Sequence, residues 1–198
     1  MGVKTGPNIV RLGLVLSLDA GSTRSYPGSG TTWKDLSGNG FNFTIDGSDI
    51  TYSNGTFSLN GGGASYADII TLSQDCTFVF WIKTNDIQSL FWKGQSGNEY
   101  LGAYRSGNKE YYSNFGTGIE FYKDTVDTAN IYDHIRDSQW HMLEFKNASS
   151  HEITENNFNQ YGGYVFGPTS NIAAIMIYDR NLTAAESAQN YNALKNRF

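Results

Sequence analysis

The sequence contains one cysteine, Cys76, so the chain cannot form an internal disulfide bond. Cys76 lies at the start of the apolar run 76–81, and we expect it to be a small buried core residue. A single cysteine also fits a protein made in a reducing cytoplasm. With 198 residues, the chain buries well over half of its unfolded surface and needs neither a disulfide nor a metal ion to be stable.

Charged residues are also scarce, at 17% of the chain, and the formal net charge is −5. No cluster of lysine and arginine is long enough to bind a run of phosphates, so we expect no nucleic-acid partner. No segment approaches the ~20 consecutive apolar residues of a membrane-spanning helix, so we expect no membrane partner. The first eight residues lack the apolar segment of a secretory signal, and we expect none.

The residues that are abundant are those of β-structure. Aromatic residues make up 15% of the chain, and its 22 glycines recur with Asn, Ser and Thr in polar clusters between apolar runs. Such clusters form turns, and the aromatic and β-branched runs between them form strands. Segment 14–19 alternates with a period of two, whereas segment 76–83 is apolar on both faces, which predicts a central strand. We predict an all-β, two-sheet antiparallel sandwich of the jelly-roll kind.

The N-terminal residues differ from this pattern. Residues 1–11 include Pro7, which disfavours a helix, and we expect an extended arm. Such an arm would add a strand to the sheet edge of a neighbouring subunit, and simple disorder is the alternative. Residues 12–198 show no linker and no internal repeat, so we predict one domain there.

The C-terminal residues have the pattern of a helix. Thr183 and Glu186 have the spacing of a capping box, in which each side chain binds the other residue's backbone N–H group. We therefore predict a short helix over 183–195. Tyr191 and Leu194 lie at helical spacing within it and are expected to dock the helix on the sandwich.

Several distinctive motifs occur along the chain from Leu12 onward. They are LVLSLDA at 14–20, SYPGSGTTWKDLSGNG at 25–40, FSLNG at 57–61, TFVFWIK at 77–83, QWHM at 139–142 and IMIYDRNLTAAE at 175–186. These motifs resemble laminin-G-like domains of the concanavalin A-like lectin/glucanase superfamily, in the variant common among tailed-bacteriophage structural proteins. The resemblance implies a concanavalin A-like jelly roll with a short helix after its last strand. Segment 59–66 departs from the family pattern because it lacks two acidic residues, which weakens a calcium site in that loop.

The resemblance also implies a setting. A non-enzymatic structural protein of a phage virion is expected, such as a head decoration, neck or tail-fibre component made in the host cytoplasm. Its expected partners are other virion structural proteins, reached through residues 1–11, and host or environmental glycans. A homo-oligomer with cyclic symmetry is expected in that setting. The alternative is a stand-alone carbohydrate-binding module of bacterial or viral origin.

Patterns of catalytic and metal-binding residues are sparse. Hydrolases of this fold carry a Glu-x-Asp-x-x-Glu run, which the sequence lacks, and Glu152 and Glu155 are spaced for opposite faces of a strand. The three histidines have no zinc-ligand spacing. Asp124 and Asp127 are candidate calcium ligands, because calcium prefers carboxylate oxygens, and plain solvation is the alternative. We expect no other cofactor.

A group of aromatic and amide residues between positions 92 and 122 is the candidate carbohydrate site. Aromatic rings pack on the apolar faces of sugars while polar side chains bind the hydroxyl groups. The alternative is that alternate aromatic residues fill the sandwich core. The candidate binding residues are Trp92, Tyr100, Tyr104, Arg105, Tyr111, Tyr112, Asn114 and Tyr122.

Overall fold

The structure is a computed structural model that describes most of the chain. The described residues are 8–46, 50–59, 63–66, 70–72, 75–85, 88–93, 100–104, 112–113, 119–128, 135–148, 152–153, 156–158 and 170–198. Within them, the strands form two antiparallel sheets and a separate pair, and one helix, α1 (Ala184–Leu194), follows the last strand. The predicted all-β, two-sheet sandwich with a C-terminal helix is confirmed. No helix in the described ranges is long and apolar enough to cross a membrane.

The two sheets account for nearly all described strands. Sheet A has the order β13 (Val126–Asp127), β12 (Glu120–Lys123), β14 (Trp140–Ala148), β8 (Cys76–Lys83), β17 (Ser170–Tyr178), β5 (Thr56–Leu59), β4 (Ile50–Ser53), and β1 (Leu14–Asp19) also pairs with β17. Sheet B has the order β11 (Tyr112–Ser113), β10 (Tyr100–Tyr104), β9 (Gln88–Lys93), β16 (Asn156–Phe158), β6 (Gly63–Tyr66), β3 (Phe43–Asp46), β2 (Thr32–Trp33). The separate pair is β15 (Glu152–Ile153) with β7 (Ile70–Thr71).

Strand β8 lies in the middle of sheet A, between β14 and β17, as its two-sided apolar pattern predicts. Phe78 and Phe80 belong to the core between the two sheets. Val79 and Trp81 belong to a second apolar cluster on the other face of sheet A. Cys76 is buried and free, which confirms its prediction as a core residue.

Helix α1 covers this second face of sheet A. Both halves of the predicted capping box are present between Thr183 and Glu186. Leu194 is buried, and the ring of Tyr191 stacks on Trp81 with the ring centres 5.8 Å apart. The predicted start of the helix and both predicted docking residues are therefore confirmed.

Residues 8–10 lie against the same helix. The backbone N–H of Val10 donates to Oδ1 of Asn190 at 2.9 Å, and the Tyr178 hydroxyl donates to the Val10 carbonyl at 3.2 Å. Val10 is buried in the cluster under α1. Residues 8–11 of the predicted arm therefore pack on their own domain, and residues 1–7 lie outside the described residues. The role of the arm stays a prediction.

The carboxylate of Asp35 organises the glycine-rich loop over 34–42. It accepts hydrogen bonds from the backbone N–H groups of Ser17, Ser37, Gly40 and Phe41 at 2.8–3.3 Å, and from the Ser37 hydroxyl at 2.6 Å. The bond from Ser17 joins the loop to β1, together with hydrogen bonds that Leu36, Ser37 and Asn39 donate to backbone carbonyls of β1. An anionic acceptor strengthens such bonds relative to a neutral one.

We predict that Asp35→Ala lowers the free energy of unfolding by about 3 kcal/mol, because several N–H donors lose an anionic acceptor. Asp35→Asn should lose less, since one acceptor oxygen remains. The exposed neighbour Lys34 provides the control, and Lys34→Ala should change stability by less than ~0.5 kcal/mol. Urea denaturation measures all three variants, and equal stability of Asp35→Ala and Lys34→Ala would contradict the prediction.

Candidate functional site

A row of directly paired residues crosses sheet B from β2 to β10. Its members, which we call the polar row, are Thr32, Thr44, Ser65, Asn157, Lys93 and Tyr100. Thr32 and Thr44 are exposed, whereas their chain neighbours Trp33 and Phe43 are buried in the core. Directly opposed residues share a face of a sheet, so the row lies on the outer face of sheet B.

Three tyrosine positions meet at the β10 end of the polar row. Tyr100 and Tyr104 lie on either side of Gly102 along β10, and Gly102 pairs with Tyr112 of β11. Alternate residues of a strand share a face, so these four positions belong to the outer face of sheet B. We call them the tyrosine surface. Gly102, which has no side chain, separates the two tyrosine positions of β10.

The other predicted sugar-binding residues fall elsewhere. Trp92 pairs with Leu101, one position along from Tyr100, and so occupies the inner face of sheet B. The role of Trp92, as a sugar-binding residue or a core residue, stays a prediction. Arg105, Tyr111 and Asn114 lie outside the described residues, and their roles stay predictions.

Tyr122 lies on the opposite side of the sandwich. In sheet A, Phe121 pairs with Phe145 in the core, so Tyr122 and its partner Glu144 occupy the outer face of that sheet. The structure thus separates Tyr122 from the tyrosine surface. Its hydroxyl donates to Oε2 of Glu120 at 2.8 Å, and this bond, with partial burial, raises the pKa of Tyr122 to about 12.

A surface pocket of about 250 Å³ opens beside Tyr122, between the edge of sheet A and the start of α1. We call it the Tyr122 pocket. It combines the tyrosine ring with charged, hydroxyl, amide and small apolar groups. Its lining residues are Glu120, Tyr122, Thr125, Lys146, Asn181, Leu182, Ala184 and Ser187.

A buried ion pair lies next to this pocket. The ammonium of Lys146 is 3.5 Å from Oε2 of Glu144, donates to the Ser187 hydroxyl at 3.0 Å, and lies 4.3 Å from the Tyr122 ring centre. Ser187 in turn donates to Glu144 at 2.7 Å. Burial raises the pKa of Glu144, although its bonds to Ser187 and Lys146 partly oppose that effect. Breaking one half of such a pair typically costs about 3–5 kcal/mol, so these groups are held firmly.

Our sequence analysis did not identify Lys146, Glu144 or Ser187. A signal was present, because Glu144 and Lys146 are two charged residues at alternate positions within a strand that also carries Trp, Met, Leu and Phe. A strand face that is covered by another element accepts charges only when they are paired. Ser187 of α1, which donates a hydrogen bond to Glu144, lies 43 positions further along the chain, so the local pattern does not reveal it.

Asp124 lies in the tight turn between β12 and β13. Asp124 and Thr125 both have positive φ angles, 51° and 76°, as a two-residue hairpin turn requires. The Asp124 carboxylate binds Nδ1 of His141 at 2.7 Å and accepts from the Met142 backbone N–H at 2.9 Å. The other ring nitrogen of His141 lies 2.9 Å from Asp137. Two carboxylates therefore hold one imidazole.

The predicted calcium ligands have different surroundings. Both oxygens of Asp124 already have partners, whereas Asp127 is exposed on β13. Among the described residues, no group of three or more His, Cys, Asp or Glu side chains could hold a metal ion. Calcium at Asp124 and Asp127 stays a hypothesis, and it would require Asp124 to exchange His141 for the ion.

Comparison with known proteins finds solved structures with a similar fold. No protein-family model matches the chain, and no curated protein matches its sequence. Domain 4 of AbnA, a GH43 extracellular arabinanase from Geobacillus stearothermophilus solved with arabinotriose, superposes with a TM-score of 0.59 at 14% identity. That likeness covers 90% of this chain and 98% of the arabinanase domain.

Two further solved structures share the fold. The binding domain of Paraclostridial Mosquitocidal Protein 1 has a TM-score of 0.53 at 16% identity over 93% of this chain and 53% of that one. Trypanosoma rangeli sialidase in complex with sialic acid has a TM-score of 0.52 at 12% identity over 93% of this chain. The chain spans only 33% of the sialidase. At these identities, the likenesses show a common β-sandwich fold.

We predict that protonation of His141 stabilises the fold. Burial lowers the pKa of His141, but hydrogen bonds to Asp124 and Asp137 outweigh that effect and raise it overall, against opposition from Lys123. A raised folded-state pKa means that the stabilisation is complete below about pH 6.5 and is lost as the pH rises through the folded pKa. The free energy of unfolding should therefore fall as the pH rises above about 6.5.

The neutral variant His141→Gln should lack this decrease, and His151→Gln should retain it. Urea denaturation across the pH range measures the free energy of unfolding of each. If His141→Gln and the unaltered chain have parallel pH profiles, His141 does not carry the effect.

Proposed function

We propose that the chain is a non-catalytic carbohydrate-binding domain that uses the outer face of sheet B. The observation that carries the proposal is the polar row ending in the tyrosine surface around Gly102. An aromatic surface next to a line of hydroxyl, amide and ammonium groups matches the alternating apolar and hydroxylated faces of a sugar. Tyr100, Tyr104 and Tyr112 are the proposed contact residues.

The dimensions of the polar row favour an oligosaccharide. Neighbouring strands lie about 4.8 Å apart, so the row from Thr32 to Tyr100 spans roughly 24 Å. A ligand that lies along such a row meets one polar position at each strand. We therefore propose a glycan chain as ligand, with its aromatic contacts near β10 and its hydroxyl groups directed to the middle strands.

The structural likenesses support this proposal. One related fold was solved with arabinotriose and another, within a larger protein, with sialic acid. These ligands belong to those proteins, and the shared sandwich makes a glycan the first ligand class to test here.

Two features support binding without catalysis. Glycoside hydrolysis needs two carboxyl groups that flank a cleft, and among the described strands of sheet B only Asp46 is an acidic residue. On the other side of the sandwich, Glu144 has a raised pKa, but its side chain is fully buried and cannot reach a substrate.

The setting proposed for this domain is the virion of a tailed phage, as a head decoration, neck or tail-fibre component. The sequence motifs at 25–40 and 175–186 support it through their resemblance to phage laminin-G-like domains. In that setting, residues 1–7 of the predicted arm would contact other virion proteins and the domain would form a homo-oligomer. A stand-alone carbohydrate-binding module is the alternative, and it would bind glycans as a monomer.

We predict that the purified chain binds at least one oligosaccharide on a glycan array and that Tyr104→Ala weakens this binding at least ~tenfold. Tyr104→Phe should retain most of it, because the ring remains. Thr51→Ala, at an exposed position of sheet A, is the control and should bind normally. The array is read with calcium and again with a chelator, which also tests Asp124 and Asp127. Absence of binding in both conditions would contradict a carbohydrate function.

Deletion of residues 1–7 tests the role of the arm. The deletion stops before Val10, which is buried, so the domain should keep its melting temperature. If the arm joins subunits, the mass measured by light scattering should fall from that of an oligomer to that of a monomer. An oligomer mass that the deletion leaves unchanged would contradict the arm-mediated assembly, and a monomer mass before the deletion would favour the stand-alone module.

A further inference from the structure

We propose that the Tyr122 pocket is a second binding site, which takes one uncharged, hydroxyl-rich group such as a terminal hexose. The pocket lies on the outer face of sheet A, whereas the tyrosine surface lies on the outer face of sheet B. The inference therefore does not require the sheet B site. It assigns a ligand class to a pocket whose polar groups are fixed by buried contacts.

The walls of the pocket combine an aromatic surface with fixed polar groups. Two contacts position the Tyr122 side chain. The Glu120 carboxylate accepts a hydrogen bond from its hydroxyl, and the Lys146 ammonium lies over one face of its ring. Lys146 and Ser187 are at least 95% buried and bonded to each other, so their positions change little when a ligand enters. Preorganised polar groups of this kind give orientation without a large entropy cost.

The charges around the pocket favour an uncharged ligand. The positive charge of Lys146 is balanced by Glu144 at 3.5 Å, and the Glu120 carboxylate also lines the pocket. Glu120 and Glu144 carry two negative charges against the one positive charge of Lys146, so the pocket disfavours an anion. A hydroxyl group, by contrast, both donates and accepts, so it can bind beside a carboxylate and an ammonium at once.

The start of helix α1 does not change this conclusion. A helix N-terminus favours anions through its unpaired N–H groups. Here the Glu186 carboxylate already accepts from the backbone N–H of Thr183, and the Thr183 hydroxyl accepts from Glu186. The Glu186 carboxylate is therefore already the anion at the helix N-terminus.

The size of the pocket limits the ligand to one sugar ring. Sites for drug-sized ligands usually enclose ~300–1,000 Å³. At about 250 Å³, the Tyr122 pocket is smaller than that range. A chain of sugars would have to leave the pocket after its first unit, which is why we propose a terminal residue.

An NMR titration of the full chain tests the proposal. The ligands are the methyl glycosides of glucose, galactose and mannose, with N-acetylneuraminic acid as a charged comparison. At least one neutral glycoside should shift the amide signals of Thr125, Ala184 and Ser187 in a saturable way. Signals of Gly102 and Tyr112 report the sheet B site separately, so failure of one site is distinguishable from failure of the other.

Variants at the start of α1 provide a matched pair. Ala184 lines the pocket, whereas its exposed neighbour Ala185 does not. Ala184→Trp should fill the pocket and weaken glycoside binding at least ~tenfold, and Ala185→Trp should leave it unchanged. Thr125→Gly is a third variant that suits the positive φ angle of 76° and should weaken binding by removing the hydroxyl group.

Several outcomes would overturn the proposal. Saturable shifts at Gly102 and Tyr112 alone would show that the glycosides do not bind in the Tyr122 pocket, and would still support binding at sheet B. Pocket shifts with N-acetylneuraminic acid but with no neutral glycoside would contradict the ligand class. Equal loss of binding in Ala184→Trp and Ala185→Trp would show that the effect does not arise in the pocket.

Discussion

The burial of sheet A on both faces is the constraint on which the rest of the structure depends. Strand β8 presents Phe78 and Phe80 to the core between the sheets, and Val79 and Trp81 to the cluster under α1. Each such side chain contributes about 1.5–3 kcal/mol when it is fully buried, so neither face tolerates exposure. Sheet B covers one face, and α1 with residues 8–10 covers the other. The two sheets therefore have different outer surfaces.

This difference gives the domain two unlike ligand surfaces. Sheet B has the core on its inner face and a line of polar positions on its outer face, which suits a long ligand lying across the strands. On sheet A, the covering helix leaves a small pocket at the margin, where Lys146 and Glu144 are buried as a pair. Removing either partner of a buried pair is costly, so the pocket has a fixed shape. The proposed functions follow from this difference between the two outer faces.

Local sequence patterns were sufficient for the features that depend on neighbouring residues. The two-sided apolar run of β8 predicted a central strand, and the spacing of Thr183 and Glu186 predicted the start of α1. The grouping of aromatic residues 92–122 did not predict their separation, because β12 joins sheet A through its pairing with β14. Likewise, Asp124 and His141 are 17 positions apart and meet only through that register. Which sheet a strand joins depends on residues that are distant in the sequence, so local periodicity does not predict it.

Hydroxyl-radical footprinting of the folded, ligand-free chain tests the central claim, which is that the tyrosine surface lies on the outer face of sheet B. Radicals oxidise aromatic side chains according to their solvent exposure. The account predicts rapid oxidation of Tyr100, Tyr104 and Tyr112, and protection of Trp92 comparable with that of Trp33, which is 1% exposed. Protection of the three tyrosines with rapid oxidation of Trp92 would mean that the faces are reversed, and would contradict the account.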